Sequence, residues 1–485
     1  MNRRTALFAA IAVLAAHATR GQAPRPDVAA TFEAALQAPE LAGGVQGIVV
    51  ESLADGAVWY ERNRALFFMP ASNQKLLTSA AALALLGPSW RFRTEALRPP
   101  GAARHGVLDG PLWLRGSGDP TLDVPHLDAL ARAVRRAGIV RVRGGVIADD
   151  TLFDKQPYGD GWSWNYLSDY YAAPVRALNF AANVVRVLVR PGASAGAAPR
   201  VRVEPEGSGL RVVVRARTRP PGAARTLAVT RPLGRDVILV EGGLPLDAPA
   251  VSAPMLATVQ DPARFAARVF AACLRRAGVR VDGGVRLART PPTARPVAVH
   301  ASATLAELLP RMNKPSDNLI AEALFKTLGA RHSRTGSFAG GCAAVRAWLD
   351  SVGVPAAEVD MADGSGLSRL NGVTPNALAR LLRLMCDRPD GELWIASLAV
   401  AGVDGTLRNR MKGTAAAGNV RAKTGYVGYV SSLSGYVTTA SGEPLLFVIL
   451  MNNHRTTNAV ARGVQDRLAA YLAGYRPPGS EGGAP

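Results

Sequence analysis

Pro70-Ala71-Ser72-Asn73-Gln74-Lys75-Leu76-Leu77 sets a serine and a lysine three residues apart at the head of an apolar run that continues through Ala81 and Leu85 and stops at Gly87-Pro88. Apolar residues at helical spacing, closed by glycine and then proline, predict a helix. Residues i and i+3 of a helix share a face one turn apart, so the two side chains can meet. Ser72 also stands at the predicted N-terminus, where free backbone N–H groups and the helix dipole favour a developing anion. Taken alone, such a pair is most often a solvated helix face.

Outward from this helix the chain reads as an α+β host carrying a large guest. Upstream, residues 31–36 are helical in pattern, and residues 47–50 and 59–60 read as two strands joined at Asp55-Gly56. Downstream, residues 90–297 change texture to short Val/Arg-rich alternating runs at 184–189, 210–214 and 237–240, a mostly β insertion with a few helices. Inside it, Arg135-Arg136-Ala137-Gly138 before Gly144-Gly145-Val146 is echoed by Arg275-Arg276-Ala277-Gly278 before Gly283-Gly284-Val285, two similar units of helix, glycine stop and strand. Helical patterns then resume at 305–312, 319–328 and 377–385, strand patterns at 420–423, 432–438 and 445–451, and a last helix at 459–472. The runs flanking Ser441-Gly442 should be antiparallel neighbours.

Composition narrows the function classes. The 485 residues are 48% hydrophobic and 19% charged, which suits a folded chain of two or three domains. A formal charge of +20 leaves peripheral association with an anionic cell wall or membrane surface open. No basic stretch interleaves aromatics as a base-stacking platform requires, so nucleic acid is disfavoured. Six histidines without an H-E-x-x-H, and Cys273, Cys342 and Cys386 without ligand spacing, argue against a zinc peptidase; neither metal nor cofactor is expected. The odd cysteine count allows at most one disulfide, and buried thiols are the expectation.

Arg3 and Arg4, an apolar run at 6–16 and small residues at Ala16-His17-Ala18 and Gly21-Gln22-Ala23 read as a cleavable export signal over 1–23, hence a periplasmic protein. Residues 477–485 read as a disordered tail.

Two more motifs lie in the resumed host: Ser316-Asp317-Asn318 ahead of a helix and Lys423-Thr424-Gly425 on a strand. In this order and local structure, the three sets form the signature of penicillin-binding proteins and serine β-lactamases. Lysine scarcity adds weight: of 57 basic residues only Lys75, Lys155, Lys314, Lys326, Lys412 and Lys423 are lysine, and two of the six fall at motif positions. A guanidinium cannot be deprotonated in a protein, so a general base of this kind has to be lysine.

Gly116-Ser117-Gly118-Asp119-Pro120-Thr121-Leu122, Lys314-Pro315-Ser316-Asp317-Asn318 and Asp363-Gly364-Ser365-Gly366-Leu367-Ser368-Arg369 extend the set. Over essentially its whole mature length the chain resembles the class C low-molecular-mass penicillin-binding proteins, the D-alanyl-D-alanine carboxypeptidase/endopeptidase family. The 244 residues between Ser72 and Ser316 leave room for the two smaller domains this family inserts there. The resemblance implies a penicillin-binding/serine β-lactamase-like transpeptidase domain, an antiparallel sheet with helices on both sides, formed by 24–89 and 298–476 around inserted α/β domains at 90–297.

It further implies cleavage of peptidoglycan stem peptides through an acyl-enzyme on Ser72, with Lys75 as base, aided by a Lys423 cation, and Ser316 relaying a proton to the leaving amine. Asn318 would hold the substrate amide, Lys423, Thr424 and Gly425 the terminal carboxylate, and the N–H groups of Ser72 and Tyr426 the oxyanion. Arg369 matches an arginine that contacts diaminopimelate, and Trp162 the wall of the stem-peptide pocket. β-Lactams should trap the acyl-enzyme. The family usually carries a small hydroxyl residue where this chain has Tyr426, which bears on the balance of carboxypeptidase and endopeptidase action. A β-lactamase or esterase on the same fold, and a non-catalytic wall-binding protein, stand as alternatives; the oligomeric state is unread.

Overall fold

The computed structural model describes residues 25–101, 104–249 and 254–478. The expected export signal at 1–23 lies outside the described residues, as does all but the start of the tail at 477–485.

A six-stranded antiparallel sheet organises the host, in the order Val58–Arg62, Val45–Ser52, Pro444–Asn452, Val430–Thr438, Arg421–Val427 and Ala399–Val400. The hairpin read at Asp55-Gly56 forms, and Asp55 accepts the Ala57 N–H at 2.9 Å to close its turn. The run at 445–451 is apolar throughout because both faces of its strand are covered. Leu446, Val448 and Leu450 pack on one side among helices that include Gln74–Leu86, Asn318–Ser333 and Pro375–Asp387. Leu445, Phe447, Ile449 and Met451 pack on the other against Pro26–Leu36 and Asn458–Gly474. Period-two alternation thus sends one strand's side chains into two cores.

The chain leaves this sheet after Gln74–Leu86 and returns along Arg295–Ala301, which pairs antiparallel with the departing strand Arg93–Arg98. Those two form the edge of a five-stranded sheet with Leu112–Gly116, Val146–Asp149 and Val285–Leu287. The echoed units fold as read: helices Val124–Arg136 and Pro262–Arg276 pack together, and the strands after them, Val146–Asp149 and Val285–Leu287, are parallel neighbours. Their paired glycines let the two backbones touch, for a Cβ on Gly145 would stand 2.2 Å from the Gly284 carbonyl oxygen. The runs read at 184–189, 210–214 and 237–240 become strands Val184–Arg190, Arg211–Val214 and Val237–Glu241 of smaller sheets. Among the described residues no helix is long and apolar enough to cross a membrane. All three cysteines are free thiols, and burial pushes Cys273 up to about 12.

Candidate active site

Ser72 sits in a single 3₁₀ turn, Ala71–Asn73, that leads into the helix Gln74–Leu86. The α-helix therefore opens two residues later than the motif suggests, and the serine occupies the tighter turn before it. Lys75 is fully buried, and its Nζ lies 2.9 Å from Ser72 Oγ, 2.6 Å from Asn318 Oδ1 and 2.7 Å from the Ser365 carbonyl oxygen. Two of these partners are carbonyl oxygens and can only accept. A neutral Lys75 spends both N–H bonds on them, which turns its lone pair toward Ser72 Oγ, the one partner with a proton to give.

Burial pushes the Lys75 ammonium down to about 8, against the pull of Glu322, Asp363 and Asp317 in the other direction. Loss of hydration, rather than the Lys423 cation expected from the sequence, is the main agent. Lys423 is itself held well below the lysine range by burial first and by the charge of Lys75 second.

Lys423 lies on the strand Arg421–Val427, and its Nζ donates to Ser316 Oγ and to the Thr424 carbonyl, both at 2.8 Å. That strand is locked to the serine turn: Asn73 Nδ2 donates to the Lys423 carbonyl at 2.9 Å, and Ser432 Oγ donates to the Pro70 carbonyl at 2.8 Å. Gly425 passes so near that a Cβ on it would stand 2.9 Å from the Ser72 nitrogen. Thr424 donates its hydroxyl proton to Thr406 Oγ1 at 2.7 Å. Tyr426 is half exposed, with the Arg462 guanidinium 5.9 Å from its ring centre. Arg369 is exposed, and its Nη2 donates to the Gly428 carbonyl at 2.9 Å.

In the second motif, Ser316 has φ +67°, a left-handed conformation that costs a non-glycine residue about 1–3 kcal/mol and aims its hydroxyl at Lys423. Asp317 caps the helix Asn318–Ser333 by accepting the Ile320 N–H at 2.9 Å. Asn318, its first residue, accepts from Lys75 through Oδ1 and donates through Nδ2 to the Tyr171 carbonyl at 2.7 Å.

The inserted segment reaches back to this centre at several points. Lys326 Nζ donates to Asp154 Oδ1 at 2.7 Å, and the Trp162 indole N–H donates to Asp363 Oδ2 at 2.8 Å. Trp162 is partly buried against Phe153, Val175, Ala177 and Leu319, so its contacts are with the Asp363 loop and a small apolar cluster. Trp164 and Tyr170 are exposed.

Sequence reasoning assigned no role to Glu322, Asp363, Ser365, Tyr171 or Thr406. One signal was present: Asn318, Glu322 and Lys326 recur every four residues among the apolar residues Leu319 to Phe325 of their helix, a polar stripe that has to face something polar when buried. The Ser365 and Tyr171 contributions are backbone carbonyls and leave no trace in residue type.

A serine hydroxyl against a buried amine that can accept its proton, with a second serine held by a second buried lysine, has the make-up of an active-serine acyl-transfer centre. Comparison with known proteins narrows the class. The profile of the D-Ala-D-Ala carboxypeptidase 3 (S13) family matches residues 28–475. A D-alanyl-D-alanine carboxypeptidase of Actinomadura sp. is 41% identical over 459 residues, covering 92% of this chain and 84% of that protein. D-alanyl-D-alanine carboxypeptidase DacB of Haemophilus influenzae is 30% identical over 424 residues, 85% of this chain and 86% of that one. The crystal structure of penicillin binding protein 4 from Haemophilus influenzae superimposes with a TM-score of 0.82 at 28% identity, covering 92% of this chain and 99% of that one. The chain belongs to the D-Ala-D-Ala carboxypeptidase 3 (S13) family, and it is a serine DD-peptidase with a penicillin-binding fold.

Proposed function

We propose that Ser72 is the nucleophile and Lys75 its general base in cleavage of the D-Ala-D-Ala terminus, or the D-Ala-diaminopimelate cross-link, of peptidoglycan stem peptides. The observation that carries this reading is the Lys75 amine, whose two carbonyl partners leave only Ser72 to donate a proton to it. Ser72 Oγ attacks the carbonyl carbon of the penultimate D-Ala as its proton passes to Lys75 Nζ. The N–H groups of Ser72 and Tyr426 receive the oxyanion. Ser316, bonded to Lys423, relays the proton: it gives its own to the departing amine as the C–N bond breaks and is reprotonated by the one Lys75 took from Ser72, and water later hydrolyses the ester on Ser72.

Lys423, Thr424 and Gly425 take the substrate's terminal carboxylate. The support is electrostatic: two buried lysines, both destabilised as cations, gain from an incoming anion. Arg369 takes a diaminopimelate carboxylate, Asn318 the substrate amide, and Trp162 backs the pocket through Asp363. The host 24–89 and 298–476 supplies the chemistry, the insertion at 90–297 one wall, and the protein works in the periplasm after loss of residues 1–23. Penicillin binding protein 4 of Haemophilus influenzae has been solved with a β-lactam, and we expect a β-lactam to acylate Ser72 here.

The test is incubation with a D-Ala-D-Ala pentapeptide and with a cross-linked muropeptide, following both products by mass, alongside fluorescent penicillin labelling of the native chain and of Ser72→Ala. Turnover of at least one substrate, with label lost in the variant, is expected. Turnover of neither, or label retained by Ser72→Ala, overturns the assignment.

A further inference from the structure

Glu322 lies one helical turn beyond Asn318 and is fully buried. Its two carboxylate oxygens accept the N–H groups of Gly364 and Ser365, each at 2.8 Å. The carbonyl of that same Ser365 is the one that accepts from Lys75 Nζ. Gly364 comes this near because it has no side chain: a Cβ there would stand 2.5 Å from Phe325 Cβ and 3.0 Å from the Ala321 carbonyl oxygen. Two helices and a loop therefore meet at one residue, Ser365, with the carboxylate on its N–H and the lysine on its carbonyl oxygen.

We propose that Glu322 is a positioning residue for the peptidase reaction, holding Ser365 by its N–H so that its carbonyl stays against Lys75 and setting, through its negative charge, the pH at which Lys75 gives up its proton. The proposal rests on Lys75 being the base of Ser72. Two N–H donors favour the carboxylate form of Glu322, whereas burial and the neighbouring Asp363 oppose it and push the group up to about 8. The other groups facing this pair are Asp317 at the helix cap, Lys423 on the facing strand, Lys326 one turn further along the helix, and the Cys342 thiol. An anion here keeps a proton on Lys75 that burial alone would remove. Removing the anion should let Lys75 become neutral at lower pH.

Six lysines make the test direct: Lys75 can be followed by NMR of its ε-carbon in lysine-labelled protein, with the resonance assigned by its loss in Lys75→Ala. In Glu322→Gln, which keeps the shape and drops the charge, the Lys75 midpoint and the acid limb of penicillin acylation should both move down by about one pH unit. Glu322→Asp should leave the midpoint in place while slowing acylation at every pH. A Glu322→Gln that is slow at all pH values with both midpoints at their native positions would reduce Glu322 to a structural role and overturn the proposal. Should that variant fail to fold, the native titration decides: two coupled steps near pH 8 support the proposal, and a single step near the ordinary lysine value of 10.5 sinks it. The NMR midpoint is readable even if Ser72 is never acylated, so failure of the peptidase reading is seen separately.

Discussion

Gly366 runs so close against Ala71 that a Cβ built on it would stand 1.8 Å from the Ala71 carbonyl oxygen. Ala71 immediately precedes Ser72, so the loop carrying Ser365 and the turn carrying Ser72 are set against each other by a contact that only glycine permits. Gly366 also has φ +83°, where a side chain is strained regardless of space. Gly366→Ala should therefore destabilise the fold by about 1–3 kcal/mol. It should also cut penicillin acylation well beyond what that loss of stability explains, as read by comparing Tm with labelling rate at a temperature where the variant is folded.

Lys75→Arg keeps the charge and removes the capacity to lose a proton. Acylation should fall by about 10²–10⁴-fold, the usual contribution of a general base, and raising the pH should not restore it. Stopped-flow acylation by a chromogenic β-lactam measures both.

With Lys75 pushed down to about 8, the neutral amine is the minor form at lower pH, so acylation should fall about tenfold per unit on the acid side of that value. The sign for stability is the same. Between about 8 and the ordinary 10.5 the unfolded chain binds a proton that the folded chain has released, so this lysine favours folding increasingly as pH rises through that window. A pH–rate profile and denaturant melts across the same range check the two halves.

Trp162→Phe keeps an aromatic ring and deletes the N–H that reaches Asp363. Asp363 would retain the Gly366 N–H and Asn371 Nδ2 on one oxygen and the Ser368 N–H on the other, so the loop should loosen without unfolding. We expect a cost of about 1–2 kcal/mol and a several-fold drop in kcat. An unchanged kcat with a raised KM would instead assign Trp162 to direct substrate contact.

Much of the host was legible in residue order. The apolar spacing after Ser72, the turn at Asp55-Gly56, the strand pair around Ser441-Gly442 and the glycine-stopped helices of the insertion all report local physics: periodicity, turn conformation and helix termination. They appear in the structure close to where the sequence puts them. Ser72, Lys75, Ser316, Asn318, Lys423 and Thr424 stood out in the sequence for a different reason, because the proposed chemistry calls for those residue types in that order.

What the sequence by itself determined is the set of chemical groups and the local elements that carry them. Only the tertiary structure decided which groups meet: that Lys75 has two carbonyl oxygens and one hydroxyl for partners, that burial rather than Lys423 lowers its proton affinity, and that Glu322 stands behind Ser365. These depend on backbone atoms, which every residue carries alike, and on solvent exclusion, which exists only once helices, loop and sheet have closed around the amine.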